Sequence, residues 1–519
     1  MEPFADAPAP DPDHTTDTTL TDFRAATAAH WRTAFLEGDV TAVELATTAL
    51  TAASAHSSLG AFLHLDADYA LARAAETDAV RTTMVGASSG EDRDAALSRL
   101  STRSPLLGLP TAFKDLVDVA GMPTTRGTAA LPPAVAAKDH GLARRLHGAG
   151  AISVGKTQVP EFGLPCYSEN QIAEPSRNPL DPDRTSGGST GGGAAAVASG
   201  MLPLAPGTDG GGSVRIPAAA CGLVGLKPGR TRLPDDDRSP AATNLPVSGP
   251  IADTVEDAAL LFDVMAGHSF RVPEVTGSGS RNGPGGAGVV LAEGPAMRGV
   301  RQALETGLAP LNIGVTTESP FSPELEVTLQ EGAVTALEKG IGGLEQAGHI
   351  VQGTSHCTGS DRFWPEDYHR LFRALWTARM GSMEFPPEQE EKLEPLTRYF
   401  LELARNRPGA ETAEAVTRMQ DFADSADEIF GPWDVLLTPM LAWAPPKVGW
   451  FAGLSPEENY IQQCRFTPYS SVVNVLGLPA INVPTHTDAA GLSWSVQIIG
   501  PTGSEEMLLA LAAVLRREM

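Results

Sequence analysis

The chain is most constrained where its residues are smallest. Between residues 160 and 213 glycine, proline and serine crowd together, yet they flank tightly apolar runs such as AAAVASGMLPLA. Flexible linkers do not alternate glycine clusters with small apolar residues. A stretch of this kind packs backbone close to backbone, and glycine supplies conformations closed to other residues. Two clusters stand out. TSGGSTGGG (185–193) runs into AAAVASG, which suits a close-packed helix. TDGGGSVRIP (208–217) sets three glycines against Ser213, with Arg215 two residues on. Such a loop can aim N–H groups at an anion, or it can be an ordinary turn. TSGGSTGGG could be a phosphate-binding loop at a helix N-terminus, but it does not match the GxxxxGK(S/T) P-loop, because no Lys-Ser or Lys-Thr follows the glycines.

Around this stretch the pattern alternates helix and strand, which points to an α/β architecture. Apolar residues recur at helical spacing through 21–55. LLGLPTAFKDLVDV is strand-like, DHGLARRLHGAG helical and AISVGKT a buried strand. Thr254 can cap a helix that carries acids in its first turn and stops at Gly267. LNIGV (311–315) reads as a strand and 324–349 as one long helix. Two helical segments in 389–430 are separated at Arg407-Pro408-Gly409. WDVLLTPM, PAINVP and SWSVQIIG read as strands, and the C-terminus as a helix. Residues 85–105 are polar and read as a loop. Residues 1–19 are acidic and proline-rich, and read as a disordered tail. Residues 272–289 read as a flexible insertion, and about 320–430 as a helical segment. No run of 18 apolar residues occurs, so no membrane anchor is expected.

Charge and cysteine usage exclude some partners. The 519 residues carry a formal net charge of −25, which disfavours nucleic acid or an anionic membrane as partner. Cys166, Cys221, Cys357 and Cys464 are scattered, with no CxxC pair. Buried free thiols and a cytoplasmic location follow. The eleven histidines include no HxxEH or HxH set, so neither a metal nor a cofactor is expected. Asp139, His140 and His147 read as a solvated helix face.

A third feature is Phe113-Lys114-Asp115, with a lysine at the end of an apolar strand. Burying a lysine lowers its pKa and frees a neutral amine to act as a base. Taken singly, Lys114 reads as a surface residue, TDGGGS as a turn, and TSGGSTGGG as weak evidence of any site. Together they are specific: Ser189 lies 75 positions after Lys114, and Ser213 lies 24 after Ser189. At these spacings, and across GGSTGGGAAAVASGMLPLAPGTDGGGSVRIPAAACGLVGLKP, the chain resembles the amidase signature family. TAVELATTAL, KTQVPEFG, SGPIADTVEDAALLFDVMAG, DVLLTPMLAWAPP and NVLGLPAINVP extend the resemblance over nearly the whole chain.

The resemblance implies one large domain over 20–519, with its core motifs in 110–270. A central mixed β-sheet would be covered by helices on both faces. It implies an amide hydrolase in which Ser213 is the nucleophile. Ser189, held by a cis peptide bond, would bridge Ser213 to Lys114, the base. The N–H groups of Gly210, Gly211, Gly212 and Ser213 would hold the oxyanion. Thr208, Asp209 and Arg215 would support the loop. A small-molecule amide is the expected substrate, and a homodimer is compatible. By position, Cys166, Tyr167, Trp443 and Phe466 are candidates to line an acyl pocket. Thr190 and Gly193 depart from the family's commonest residues without removing a proposed group. Two other functions share the motifs. One is the A subunit of a glutamyl or aspartyl transfer-RNA amidotransferase, but GRTRLPDDDRSPAATNLP follows GLKP here instead of the YGRVSRYG-like run of those subunits. The other is a non-catalytic scaffold, opposed by retention of Lys114, Ser189 and Ser213 together.

Overall fold

A computed structural model describes residues 22–86, 89–234, 239, 241–272, 291–354 and 364–519. The tail at 1–19, nearly all of the 272–289 insertion and Cys357 lie outside the described residues.

Eight strands form a mixed sheet in the order Ile350–Gly353, Asn312–Val315, Val435–Pro439, Ser493–Ile499, Ala480–Thr487, Val224–Lys227, Val247–Ala252, Leu204–Asp209. The first three run parallel to one another, and each later neighbour is antiparallel. Both faces are covered. On one face, a Cβ placed on Gly340, in the helix Glu331–Gln346, would meet Val496 at 2.9 Å. The next strand residue, Gln497, points the other way and binds Arg215, at the start of the helix Arg215–Ala220. Successive strand residues face opposite sides of a sheet, so the two helices lie on opposite faces.

A smaller sheet sets Phe62–Leu65 antiparallel, and Pro110–Lys114 parallel, to Ile152–Thr157. Its strand Pro110–Lys114 lies along the edge strand Leu204–Asp209 of the large sheet, where Thr111 Oγ1 donates to the Leu204 carbonyl at 3.2 Å. This contact brings the ends of the two strands, Lys114 and Thr208, to the same place.

The small-residue run becomes the helix Gly191–Ala198, fully packed along nearly its whole length. A Cβ on Gly192 would stand 2.4 Å from both Ala61 O and Gln158 N. Only glycine lets this helix approach the neighbouring backbone.

Three sequence expectations change. Residues 90–103, read as loop, form the helix Gly90–Arg103, with Ala96, Leu97, Leu100 and Ser101 buried. Those residues fall on one helical stripe, and Glu91 and Asp92 sit favourably in the first turn. The long helix starts at Glu331, not near 324; the β-branched Val327 and Thr328, weak helix formers, lie before it outside any element. The solvated face at Asp139 and His147 is a paired, partly buried contact. His147 bonds Asp139 Oδ2 at 2.9 Å and Ser153 Oγ at 2.7 Å. This row resembles a Ser-His-Asp triad, but Ser153 is fully buried and offers a substrate no approach.

Candidate active site

Lys114 ends its strand at 1% exposure. Its Nζ lies 2.7 Å from Ser189 Oγ and 3.0 Å from the Thr208 carbonyl. Burial lowers the ammonium pKa to about 7, against a weaker opposing pull from Asp209. A neutral amine has two N–H donors and one lone pair. It can donate to Thr208 O and accept from the Ser189 hydroxyl. Thr208 therefore supports the lysine through its backbone, not its side chain. The adjacent Asp115 does not serve Lys114. It is buried with Lys156, 2.9 Å from that residue's Nζ.

The Gly188–Ser189 peptide is cis. Ser189 and Ser213 both line one cavity, and Thr190 N donates to Ser213 O at 3.1 Å. Among the described residues, Ser213 Oγ is not hydrogen-bonded to Ser189. Lys227 is a second buried lysine with its pKa lowered by burial to about 7. It donates to Pro228 O at 2.8 Å, and among the described residues it has no hydrogen bond to either serine.

The glycine loop is held by one ion pair. Asp209 and Arg215 are fully buried and 2.9 Å apart. Burial would raise the Asp209 pKa, but the charge and hydrogen bonds of Arg215 hold it well below the usual carboxylate range. Arg215 also reaches Asn474 Oδ1 at 2.6 Å, Gln497 Oε1 at 2.5 Å and Ser470 O at 3.2 Å. It thus ties the loop to segments more than 250 residues away in sequence.

One expected oxyanion donor is already committed. Gly212 N donates to Asp209 Oδ1 at 2.7 Å, and the Gly211 carbonyl accepts from Ser470 Oγ at 2.6 Å. Both ends of the Gly211–Gly212 peptide are therefore clamped. A buried carboxylate needs donors, and it takes this one. Among the described residues, the N–H groups of Gly210, Gly211 and Ser213 have no intramolecular acceptor.

Two compartments meet at Ser213. One, of about 50 Å³, has aromatic walls in Phe321, Phe372, Trp376, Phe400 and Tyr460. The other, larger at about 430 Å³, holds Ser189, Thr208 and Gly210. Of the sequence candidates, Cys166 lines the aromatic compartment. Tyr167 is instead packed in the core, stacked 4.8 Å from Phe451, with its hydroxyl accepting from Asn459 at 2.8 Å. Trp443 packs on the buried Phe466 at 5.7 Å, and neither lines a compartment. In sequence the wall residues Phe372 and Trp376 look like the continuation of an ordinary core stripe, spaced by four from the buried Tyr368. That spacing on one helix, Tyr368–Ala378, was the available signal.

The family model "Amidase" matches residues 44–509. AmiB2 of Mycobacterium tuberculosis is 35% identical over 430 residues, covering 81% of this chain and 84% of its own. AmiC of Mycobacterium bovis is 34% identical over 453 residues, covering 85% and 88%. In fold the chain is similar to a 6-aminohexanoate cyclic dimer hydrolase (TM-score 0.76, 23% identity, 96% and 98% covered). It is also similar to a bacterial aryl acylamidase of the amidase signature family (TM-score 0.74, 22% identity, 96% and 97% covered). With a family match over most of its length and relatives above 30% identity, the chain belongs to the amidase signature family and is an amidase.

Proposed function

We propose that this amidase cleaves the C–N bond of a small carboxylic amide through an acyl-enzyme on Ser213. The observation that carries the proposal is the buried amine of Lys114, 2.7 Å from Ser189 Oγ, in a hydroxyl that shares a cavity with Ser213. Neutral Lys114 takes the Ser189 proton as Ser189 takes that of Ser213, and Ser213 Oγ attacks the carbonyl carbon. The Ser213 rotamer turns to meet Ser189 when substrate is bound, since catalytic hydrogen bonds tighten in the complex. Negative charge on the carbonyl oxygen is met by the N–H groups of Gly210, Gly211 and Ser213. Each such donor is worth roughly 10²–10³ in rate. The relay then returns its proton through Ser189 to the nitrogen, because an amide anion does not leave. Water, deprotonated by the same relay, hydrolyses the acyl-enzyme.

The aromatic compartment favours an aryl or alkyl acyl group over a charged one. Esters of the same shape are substrates too, their leaving group being easier. Buried unpaired thiols at Cys166, Cys221 and Cys464 support a cytoplasmic location. Among the described residues no helix is long and apolar enough to cross a membrane.

A fluorophosphonate tests the nucleophile. Wild type should label at Ser213 and hydrolyse aryl and alkyl amides. Ser213→Ala should do neither. Equal labelling of that variant would end the assignment.

A further inference from the structure

The two compartments at Ser213 are chemically unequal. Ser213, Leu164 and Trp376 belong to both, and Trp376 is the partition. Ser189 belongs to the larger one and is absent from the aromatic one. When the C–N bond breaks, the nitrogen must receive its proton from Ser189. The amine part of the substrate therefore occupies the larger compartment, and the acyl part the aromatic one.

The amine compartment is walled by Leu245, Leu375, Met380 and Met383, and among the described residues lining it one is charged, Arg379. The whole chain has 63 acidic residues against 38 basic. Even so, no carboxylate is among the described residues lining either compartment. Arg379 is exposed, and its guanidinium is in no ion pair among the described residues. It directly follows the helix Tyr368–Ala378. The helix thus carries an acyl wall in Phe372 and the partition in Trp376, and Arg379 just past its end is the one cation among the described residues lining the amine side. A guanidinium is a rigid planar fork matched to a carboxylate. Apolar walls on one side strengthen such a pair relative to open water.

We infer that the enzyme prefers amides whose amine part ends in a carboxylate, such as N-acylated amino acids or aminobenzoates, and that Arg379 binds that carboxylate. The inference rests on the Ser213 relay proposed above. Hydrolysis is the same reaction: water adds across the C–N bond, releasing a carboxylic acid and an amine that keeps its own carboxylate.

The test compares 4-(phenylacetylamino)benzoate with phenylacetyl-4-nitroanilide. The acyl group is shared, and carboxylate and nitro have nearly the same shape. Changes between enzyme variants cancel the electronic difference between the leaving groups. The readout is kcat/KM for the anionic compound divided by that for the neutral one. Arg379→Gln should lower this ratio roughly tenfold to a hundredfold, the worth of a charge-assisted hydrogen bond, chiefly through KM. Arg379→Lys should give an intermediate ratio. Added salt should lower the wild-type ratio and leave that of Arg379→Gln unmoved. A ratio indifferent to Arg379→Gln overturns the inference while leaving the relay intact. So does turnover of neither compound by an enzyme that still labels at Ser213. Undiminished turnover by Ser213→Ala would instead remove the relay on which the inference rests.

Discussion

Replacing Arg215 by methionine should damage this protein more than almost any other single substitution. The guanidinium is fully buried. It donates Nε to Asp209 Oδ2 at 3.0 Å and a terminal nitrogen to Asp209 Oδ1 at 2.9 Å. Methionine fills much of the space but removes the charge hydrogen-bonded to Asp209. Breaking a buried pair from one side removes about 3–5 kcal/mol, a large share of the 5–15 kcal/mol typical of a folded protein. Asn474 Oδ1 and Gln497 Oε1 also lose a donor, which pushes the value toward the upper end. Urea unfolding at neutral pH measures it. The double variant Asp209→Asn/Arg215→Met should lose less than Arg215→Met alone, because no buried charge is then stranded. The pH dependence has a fixed sign. The folded-state pKa of Asp209 lies below its unfolded value near 3.9. The stability from this pair is therefore fully present above that value and is lost as pH falls through the lower folded one. The gap between wild type and variant should stay wide at neutral pH and close only in strong acid. A loss under about 1 kcal/mol, with fluorophosphonate labelling unchanged, would refute the role given to this pair.

Gly212→Ala should abolish labelling: Gly212 has φ +125°, and an added Cβ would stand 2.5 Å from Ile216 Cδ1. Circular dichroism checks that the remainder of the chain still folds. Ser470→Ala removes the donor to Gly211 O. It should reduce stability by about 0.5–1.5 kcal/mol and lower kcat more than KM, because the peptide it clamps orients the oxyanion donors. Lys156→Met strands the buried Asp115 and should lower the unfolding free energy by about 3–5 kcal/mol, measured by urea titration. Activity per folded molecule should change little, since Asp115 does not touch Lys114.

Much of the site could be read from sequence because its parts are local. Lys114, Ser189 and Ser213 each sit beside a glycine or strand signal, and their spacings made the set specific. Thr254 was also legible as a cap, and it accepts from Asp257 N at 3.1 Å. What escaped depends on tertiary neighbours. No pattern in TDGGGS says that Gly212 gives its N–H to Asp209 while its neighbours keep theirs. The clamp at Gly211 comes from Ser470, 259 residues away. Likewise, the acyl walls come from Phe321, Phe372, Phe400 and Tyr460, on separate segments. Each is indistinguishable in sequence from a core aromatic, whereas Tyr167 and Trp443, closer to the motifs, turned out to be core. The helix Gly90–Arg103 was hidden by its polar composition, although its four buried residues keep helical spacing.

The account rests on Lys114 working as a neutral base through Ser189. The pH dependence of Ser213 acylation, followed by fluorophosphonate labelling in wild type and Lys114→Ala, tests this directly. In wild type the rate should rise with pH through an apparent pKa of about 7, where burial places Lys114. In Lys114→Ala that rise should vanish and the rate should fall by at least about 10². If Lys114→Ala kept the wild-type rate and the same rise near pH 7, another group, such as the buried Lys227, would be the titrating base and the relay would be wrong.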